Sequence, residues 1–302
     1  MTALPGARRV GETIANRMFS PPRRGHHRRP AEFGLDAAEA TCTTPDGVDL
    51  HLWVIEPPSG GPGDTDGPGG PAGTAIVGHG IGLTKSASLR QAALLHEAGY
   101  GVVLYDHRNH GLSGHDAVRP GMADRFTLDI RAAADFAAAR FGDERPVLAY
   151  GFSFSSFPSV YALRVESRIG AVVCDSGPAS DIPGIVTRFA QAGALPLPRW
   201  ILANPWGRQV VAACAARATA LLAGEWPPPA SQGALDRTPM LFVVGAGDAI
   251  MAADEVRAMA ARYARARCVV LPGGHLESVK HDPEAYRATL TEFLEEFREE
   301  PR

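Results

Sequence analysis

Pro146-Val147-Leu148-Ala149-Tyr150-Gly151-Phe152-Ser153-Phe154-Ser155 is the stretch on which the fold turns. A short apolar run ends in a glycine, and Ser153 follows ahead of a helix-length segment, so the pattern reads as strand, tight turn, helix. Such a turn lifts the Ser153 hydroxyl above the sheet edge. The next amide and the helix N-terminus then face any negative charge that develops there. Backbone and helix crowd this turn, which calls for small residues two before and two after the serine. Gly151 supplies one and Ser155 the other, and Pro158 removes a backbone donor early in the helix that follows.

Working outward, the same alternation continues on both sides. Thr74 to Val77, Gly101 to Tyr105, Ala171 to Cys174, Met240 to Val244 and Cys268 to Leu271 read as short strands apolar on both faces. Ser86 to Ala98, with Ser86 as N-cap and Gly99 as stop, reads as a helix, and so do Phe126 to Phe141 and Asp254 to Ala264. Asp282 as N-cap with Pro283 at the first position opens a last amphipathic helix carrying Tyr286, Leu290, Phe293, Leu294 and Phe297. Strands each followed by a helix indicate an α/β protein with a mostly parallel sheet covered on both faces. Ahead of it, Pro45-Asp46-Gly47 between two strand-like runs, to Thr44 and from Val48 to Ile55, predicts an antiparallel hairpin. Residues 57 to 73 read as a flexible Pro/Gly-rich loop. The alternation breaks over 176–238, which contains an Ala-rich helical run from Val210 to Leu222.

The expected organisation is therefore an N-terminal arm over 1–38, a core formed by 39–175 and 239–302, and a helical insertion over 176–238. Residues 1–30 of the arm hold Arg8, Arg9, Arg17, Arg23, Arg24, Arg28 and Arg29 against Glu12 alone. With Pro21, Pro22 and Pro30 and little apolar periodicity, it reads as partly disordered or draped over the surface.

A serine hydroxyl becomes a nucleophile when an imidazole takes its proton and a carboxylate fixes that imidazole's tautomer. Asp248 in Val243-Val244-Gly245-Ala246-Gly247-Asp248 and His275 in Leu271-Pro272-Gly273-Gly274-His275 each stand just past a strand, where ligand sites of parallel sheets lie. Asp175, also just past a strand, is the competing acid. His79-Gly80-Ile81-Gly82 follows the strand that begins at Thr74. It resembles the H-G-x-G oxyanion loop, whose glycines let a backbone amide point at the site, and that resemblance implies the amides of Ile81 and Phe154 as oxyanion donors.

In the order Ser153, Asp248, His275, with an H-G-x-G loop and the segment Asp106-His107-Arg108-Asn109-His110-Gly111-Leu112-Ser113, the sequence resembles the α/β-hydrolase superfamily over about residues 39 to 298. Ile76 to Ser113 and the Cys174-Asp175 strand end look most like the capped, serine aminopeptidase S33-like group of bacterial hydrolases. The resemblance implies an eight-stranded, mostly parallel sheet whose second strand is antiparallel, a helical cap inserted after strand six at 176–238, and Asp248 rather than Asp175 as the triad acid. It implies hydrolysis of an ester, thioester, lactone or amide without metal or organic cofactor. It also implies that Asp106 to Ser113 is a buried structural turn. Ser155 in place of the usual glycine and the insertion before strand three depart from the pattern.

Composition and charge narrow the alternatives. Hydrophobic residues make up 45% and charged residues 21%, a folded globular balance. A net charge of −3 gives no electrostatic case for nucleic acid, leaving a small-molecule acyl substrate as the expected partner. Cys42, Cys174, Cys214 and Cys268 lack paired zinc spacing, and His107 and His110 lack a third spaced ligand, so no metal is expected. Isolated cysteines, no apolar run of membrane-span length and no signal-peptide pattern predict a cytoplasmic protein without membrane insertion. Two other readings remain open. The scaffold can carry out acyl transfer, cyclisation or lyase chemistry instead of hydrolysis, or it can be a catalytically silent binding protein. Phe189, Leu195, Leu197, Trp200 and Trp206 are candidates either for a substrate lining or for the insertion's own core.

Overall fold

The computed structural model describes residues 4–58, 72–142 and 146–299; most of the expected loop over 57–73 lies outside them. Helix α1 (Ala7–Met18) comes first. Strands β1 (Ala38–Thr43) and β2 (Asp49–Ile55) then pair antiparallel around a turn in which Gly47 takes a φ of 84°, a value suited to glycine. Six more strands follow: β3 (Gly73–Val77), β4 (Tyr100–Tyr105), β5 (Val147–Phe152), β6 (Ile169–Asp175), β7 (Met240–Gly245) and β8 (Ala266–Leu271).

They build one eight-stranded sheet in the order β1-β2-β4-β3-β5-β6-β7-β8. β2 is antiparallel to β4, and every neighbouring pair from β4 to β8 is parallel. This is the α/β-hydrolase architecture with an antiparallel second strand. β4, β5 and β7 are buried along their whole length, as continuous apolar runs in a covered parallel sheet should be.

The connecting helices are α2 (Leu89–Glu97), α3 (Met122–Phe141), α4 (Ser156–Ala162), α5 (Ile182–Gln191), α6 (Arg199–Leu202), α7 (Pro205–Leu222), α8 (Ala253–Ala260), α9 (Ser278–His281) and α10 (Pro283–Glu299). Alternate strand residues feed two cores, one on each face. Val103 and Ala149 join Ile130 and Val160, while Leu104, Leu148 and Val173 join Leu95, Tyr286 and Leu290. At the head of α10 the Asp282 carboxylate accepts from the Ala285 N–H at 3.0 Å, ahead of Pro283. Ser86 does not cap α2. It lies in a 3₁₀ turn over Lys85–Ser88, and its hydroxyl bonds Thr84 and His27.

A third apolar cluster gathers Ile14, Ala15 and Phe19 with Phe126, Phe154, Val186, Val210, Cys214 and Leu221. Within the segment read as a draped arm, Ala7–Met18 is thus a helix packed on α7. Its inward face is built of Ala7, Gly11, Ile14 and Ala15, and a side chain at Gly11 would overlap the Val210 carbonyl. Small residues on this face allow the two helices to approach closely.

Candidate active site

The turn after β5 carries Ser153 at φ 53°, a left-handed backbone that a non-glycine residue holds only when its surroundings impose it. A Cβ at Gly151 would stand 2.5 Å from the Ser156 N and Cα, so α4 can follow the strand this closely only over a glycine. Ser155 departs from the usual glycine on the other side. Its hydroxyl occupies the space that a side chain at Gly78 would need, and lies 3.4 Å from the Tyr105 hydroxyl. The room that a glycine after the serine ordinarily supplies is provided here by a glycine at the end of β3.

The three residues singled out as nucleophile, base and acid come together. His275 Nδ1–H donates to Asp248 Oδ2 at 2.8 Å, which leaves Nε2 to accept from the Ser153 hydroxyl at 2.9 Å. Asp248 Oδ1 accepts from the amides of Ile250 and Met251, each at 2.8 Å. The carboxylate is therefore fixed on both oxygens. Its turn and that of His275 are joined by Ala246 N–H to the Leu271 carbonyl at 2.7 Å and Gly247 N–H to the Gly273 carbonyl at 2.9 Å. A Cβ at Gly245 would fall 2.7 Å from the Gly274 carbonyl oxygen, so the two turns meet over a glycine.

Asp175 faces other partners. It accepts from Tyr286 at 2.6 Å, Tyr150 at 3.1 Å and Ser176 at 3.0 Å, and burial pushes its carboxyl above the usual range. The Ser176 hydroxyl in turn accepts from the Leu276 N–H at 3.2 Å. Asp175 thus belongs to a buried network that supports the loop of His275.

Ile81 and Phe154 both stand at the cavity containing Ser153. The Phe154 amide is in the first turn after the elbow, where helical N–H groups have no partner four residues back. The H-G-x-G loop passes so close that a Cβ at Gly80 would lie 3.5 Å from the Ser153 Cβ. Two neutral imidazoles clip this loop in place. His79 donates to the Gly80 carbonyl at 2.8 Å and accepts from the His107 amide at 3.1 Å. His110 donates to the Arg108 carbonyl at 2.9 Å and accepts from the Gly82 amide at 3.1 Å. Burial pushes both down to about 3. Among the described residues no group of His, Cys, Asp and Glu side chains could hold a metal ion.

The cavity is lined by apolar side chains around Ser153. α5 supplies Ile182, Ile185, Val186 and Phe189, and α7 supplies Ala218 and Leu222. Of the other candidate lining residues, Leu195 is buried in the third cluster, Leu197 and Trp206 pack on it, and Trp200 is 73% exposed. Sequence reasoning missed Met18 and Phe19, which line the cavity from the N-terminal segment. The available signal was the spacing of Ala7, Gly11, Ile14, Ala15 and Met18 along one helical face.

The family model described as "Alpha/beta hydrolase family" matches residues 75–289. No curated protein matches the chain. Among solved structures, the Pyrococcus furiosus esterase Pf2001 is similar with a TM-score of 0.71 at 22% identity, over 92% of this chain and 98% of that one. The α/β hydrolase GrgF from Penicillium sp. sh18 has a TM-score of 0.61 at 17% identity, covering 87% and 99%. A thermophilic esterase from Thermogutta terrifontis has a TM-score of 0.56 at 17% identity, covering 87% and 100%. At these identities the likeness is one of fold. No helix among the described residues is long and apolar enough to cross a membrane.

Proposed function

The chain belongs to the alpha/beta hydrolase family, and from that membership we propose that it is a serine hydrolase cleaving a small-molecule acyl ester, thioester or lactone through a Ser153 acyl-enzyme. The observation that carries this reading is the unbroken chain Asp248–His275–Ser153, at 2.8 and 2.9 Å, at an apolar cavity. Ser153 Oγ attacks the substrate carbonyl while His275 Nε2 takes its proton. Asp248 holds Nδ1–H and stabilises the imidazolium that forms. The amides of Ile81 and Phe154 receive the oxyanion. Collapse of the tetrahedral adduct expels the alcohol or thiol, which takes the proton back from His275. Water, activated by the same imidazole, then releases the acid.

Residues 176–238 act as the cap of this site, and the isolated cysteines fit a reducing, cytoplasmic setting. A second reading is favoured by the burial of Ser153, only 3% exposed among phenylalanines. A site this dry suits transfer of the acyl group to an acceptor other than water.

Fluorophosphonate labelling with mass-spectrometric mapping tests the first step. The expected result is one adduct on Ser153, absent in Ser153→Ala, with turnover of activated esters falling roughly 10³-fold or more in that variant. An unlabelled, folded protein would leave a binding role instead. Product analysis then separates hydrolysis, which yields free acid, from transfer.

A further inference from the structure

The family match begins at residue 75, yet the cavity at Ser153 is closed in part by residues that precede it. Met18 and Phe19 stand in its wall together with the α5 residues Ile182, Ile185 and Val186. They are held there from both sides. On the N-terminal side α1 lies on α7, with Gly11 against Val210 and Cys214, and the Leu4 amide donates to Gln209 Oε1 at 2.7 Å. On the C-terminal side Asn109 Nδ2 donates to the Phe19 carbonyl at 3.2 Å, and Arg23 donates to the Gly111 carbonyl at 3.0 Å. His26 then sits 2.8 Å from Asp106 Oδ2, beside Lys85. The Phe19 ring itself meets the ring of Phe154 edge-on at 6.0 Å. A segment anchored this way is a fixed wall.

The cavity also has a direction. Ser153 and Phe154 line it and His275 does not. The leaving group takes its proton from His275 Nε2 and so lies on the His275 side of Ser153, while the apolar lining of the recess suits the acyl chain. Resting on the serine-hydrolase reading above, we propose that Met18 and Phe19 are specificity-determining residues, through which the N-terminal segment limits the length of the apolar acyl chain that the site accepts. In an apolar pocket one methylene changes selectivity by roughly 10- to 200-fold, so the size of a wall residue is read directly in a chain-length profile.

The test is kcat/KM across a series of p-nitrophenyl esters from acetate to decanoate for the full-length protein and two opposite variants. Met18 is half-buried and packs on the third apolar cluster, its sulfur 4.0 Å from Cys214 Sγ, so a thermal melt of each variant accompanies the kinetics. Met18→Ala should raise the ratio of the octanoate to the butyrate ester about tenfold or more, and Met18→Trp should lower it by a similar factor. If Met18→Trp does not fold, Phe19→Leu takes its place and should shift the ratio upward. Ratios unchanged from wild type, in variants whose Ser153 still takes the fluorophosphonate, overturn this inference and leave the hydrolase reading intact. Wild-type protein with neither adduct nor ester turnover overturns both.

Discussion

Ser153 sits in a backbone conformation that costs on the order of 1–3 kcal/mol, and the residues around it make that conformation the one in which the chain fits. Gly151 does this by having no side chain beside α4. Ser155 has one, and its presence is tolerated because Gly78 has none. The sequence shows the exception at Ser155 but cannot show its compensation, since Gly78 lies on another strand and meets it only in space. The pairing has a measurable consequence. Gly78→Ala places a methyl on the Ser155 Oγ and 2.7 Å from its Cβ, and should cost about 1–3 kcal/mol. Ser155→Gly alone should cost about 0.5–1 kcal/mol in chain entropy. The double variant should be more stable than the sum of the two by roughly 0.5–3 kcal/mol, measured by urea unfolding at neutral pH. Strict additivity would mean that the two positions do not share this space. The triad itself is more legible than its support. Ser153, Asp248 and His275 each end a strand, so a parallel sheet brings them to one edge, whereas the clip made by His79 and His110 depends on side-chain orientation that no local pattern reveals.

Elements were legible where their burial leaves a strong apolar signal. All the parallel strands and α3, α7 and α10 follow from continuous or periodic apolar runs. α5 was not singled out within the break over 176–238, and its Pro183 and Gly184 lie near its start. In place they form its first turn, where proline loses nothing and the Gly184 amide donates to the Asp181 N-cap at 3.0 Å. α1 was masked by the arginine- and proline-rich composition of its segment, although its small inward face follows helical spacing. The same smallness makes it vulnerable. Gly11→Val would drive a branched side chain into the Val210 carbonyl and the Ala213 Cβ, so α1 should lift off α7. The expected result is a loss of about 1–3 kcal/mol and faster tryptic cleavage at Arg8, Arg9 and Arg17, read by limited digestion beside a thermal melt. Unchanged digestion and melting would show that α1 contributes little to the fold.

Across the whole molecule, buried charge ties together parts that lie far apart in the chain. Arg108 is fully buried and donates to Asp129 of α3 at 2.7 Å, to Asp116 at 2.9 Å and to Asp46 of the opening hairpin at 2.8 Å. Lys85, equally buried, donates to Asp106 at 2.8 Å beside His26 of the N-terminal segment. Burial pushes each of these acids up, but their partners outweigh it in three of them. Arg108 and Thr44 hold Asp46 down to about 2, Arg125 and Arg108 lower Asp116, and His26 and Lys85 hold Asp106 well below the carboxylate range. Each folded-state value is below the unfolded value of about 3.9, so the folded chain binds fewer protons than the unfolded one. The stabilisation is therefore complete above about pH 4 and is lost as the pH falls through the folded-state values, toward pH 2 for Asp46. Urea midpoints should accordingly decline little from neutral pH to pH 5 and steeply below pH 4. Arg108→Met should cost about 3–5 kcal/mol at neutral pH by leaving buried Asp129 without its cation and Asp46 and Asp116 with Arg125 alone. It should also make the acid decline shallower, because Asp46 and Asp116 lose the Arg108 guanidinium while keeping Arg125 and, for Asp46, Thr44. If the variant and the wild type decline in parallel below pH 4, the acid sensitivity arises elsewhere, and the Lys85–Asp106 pair is the next place to measure it.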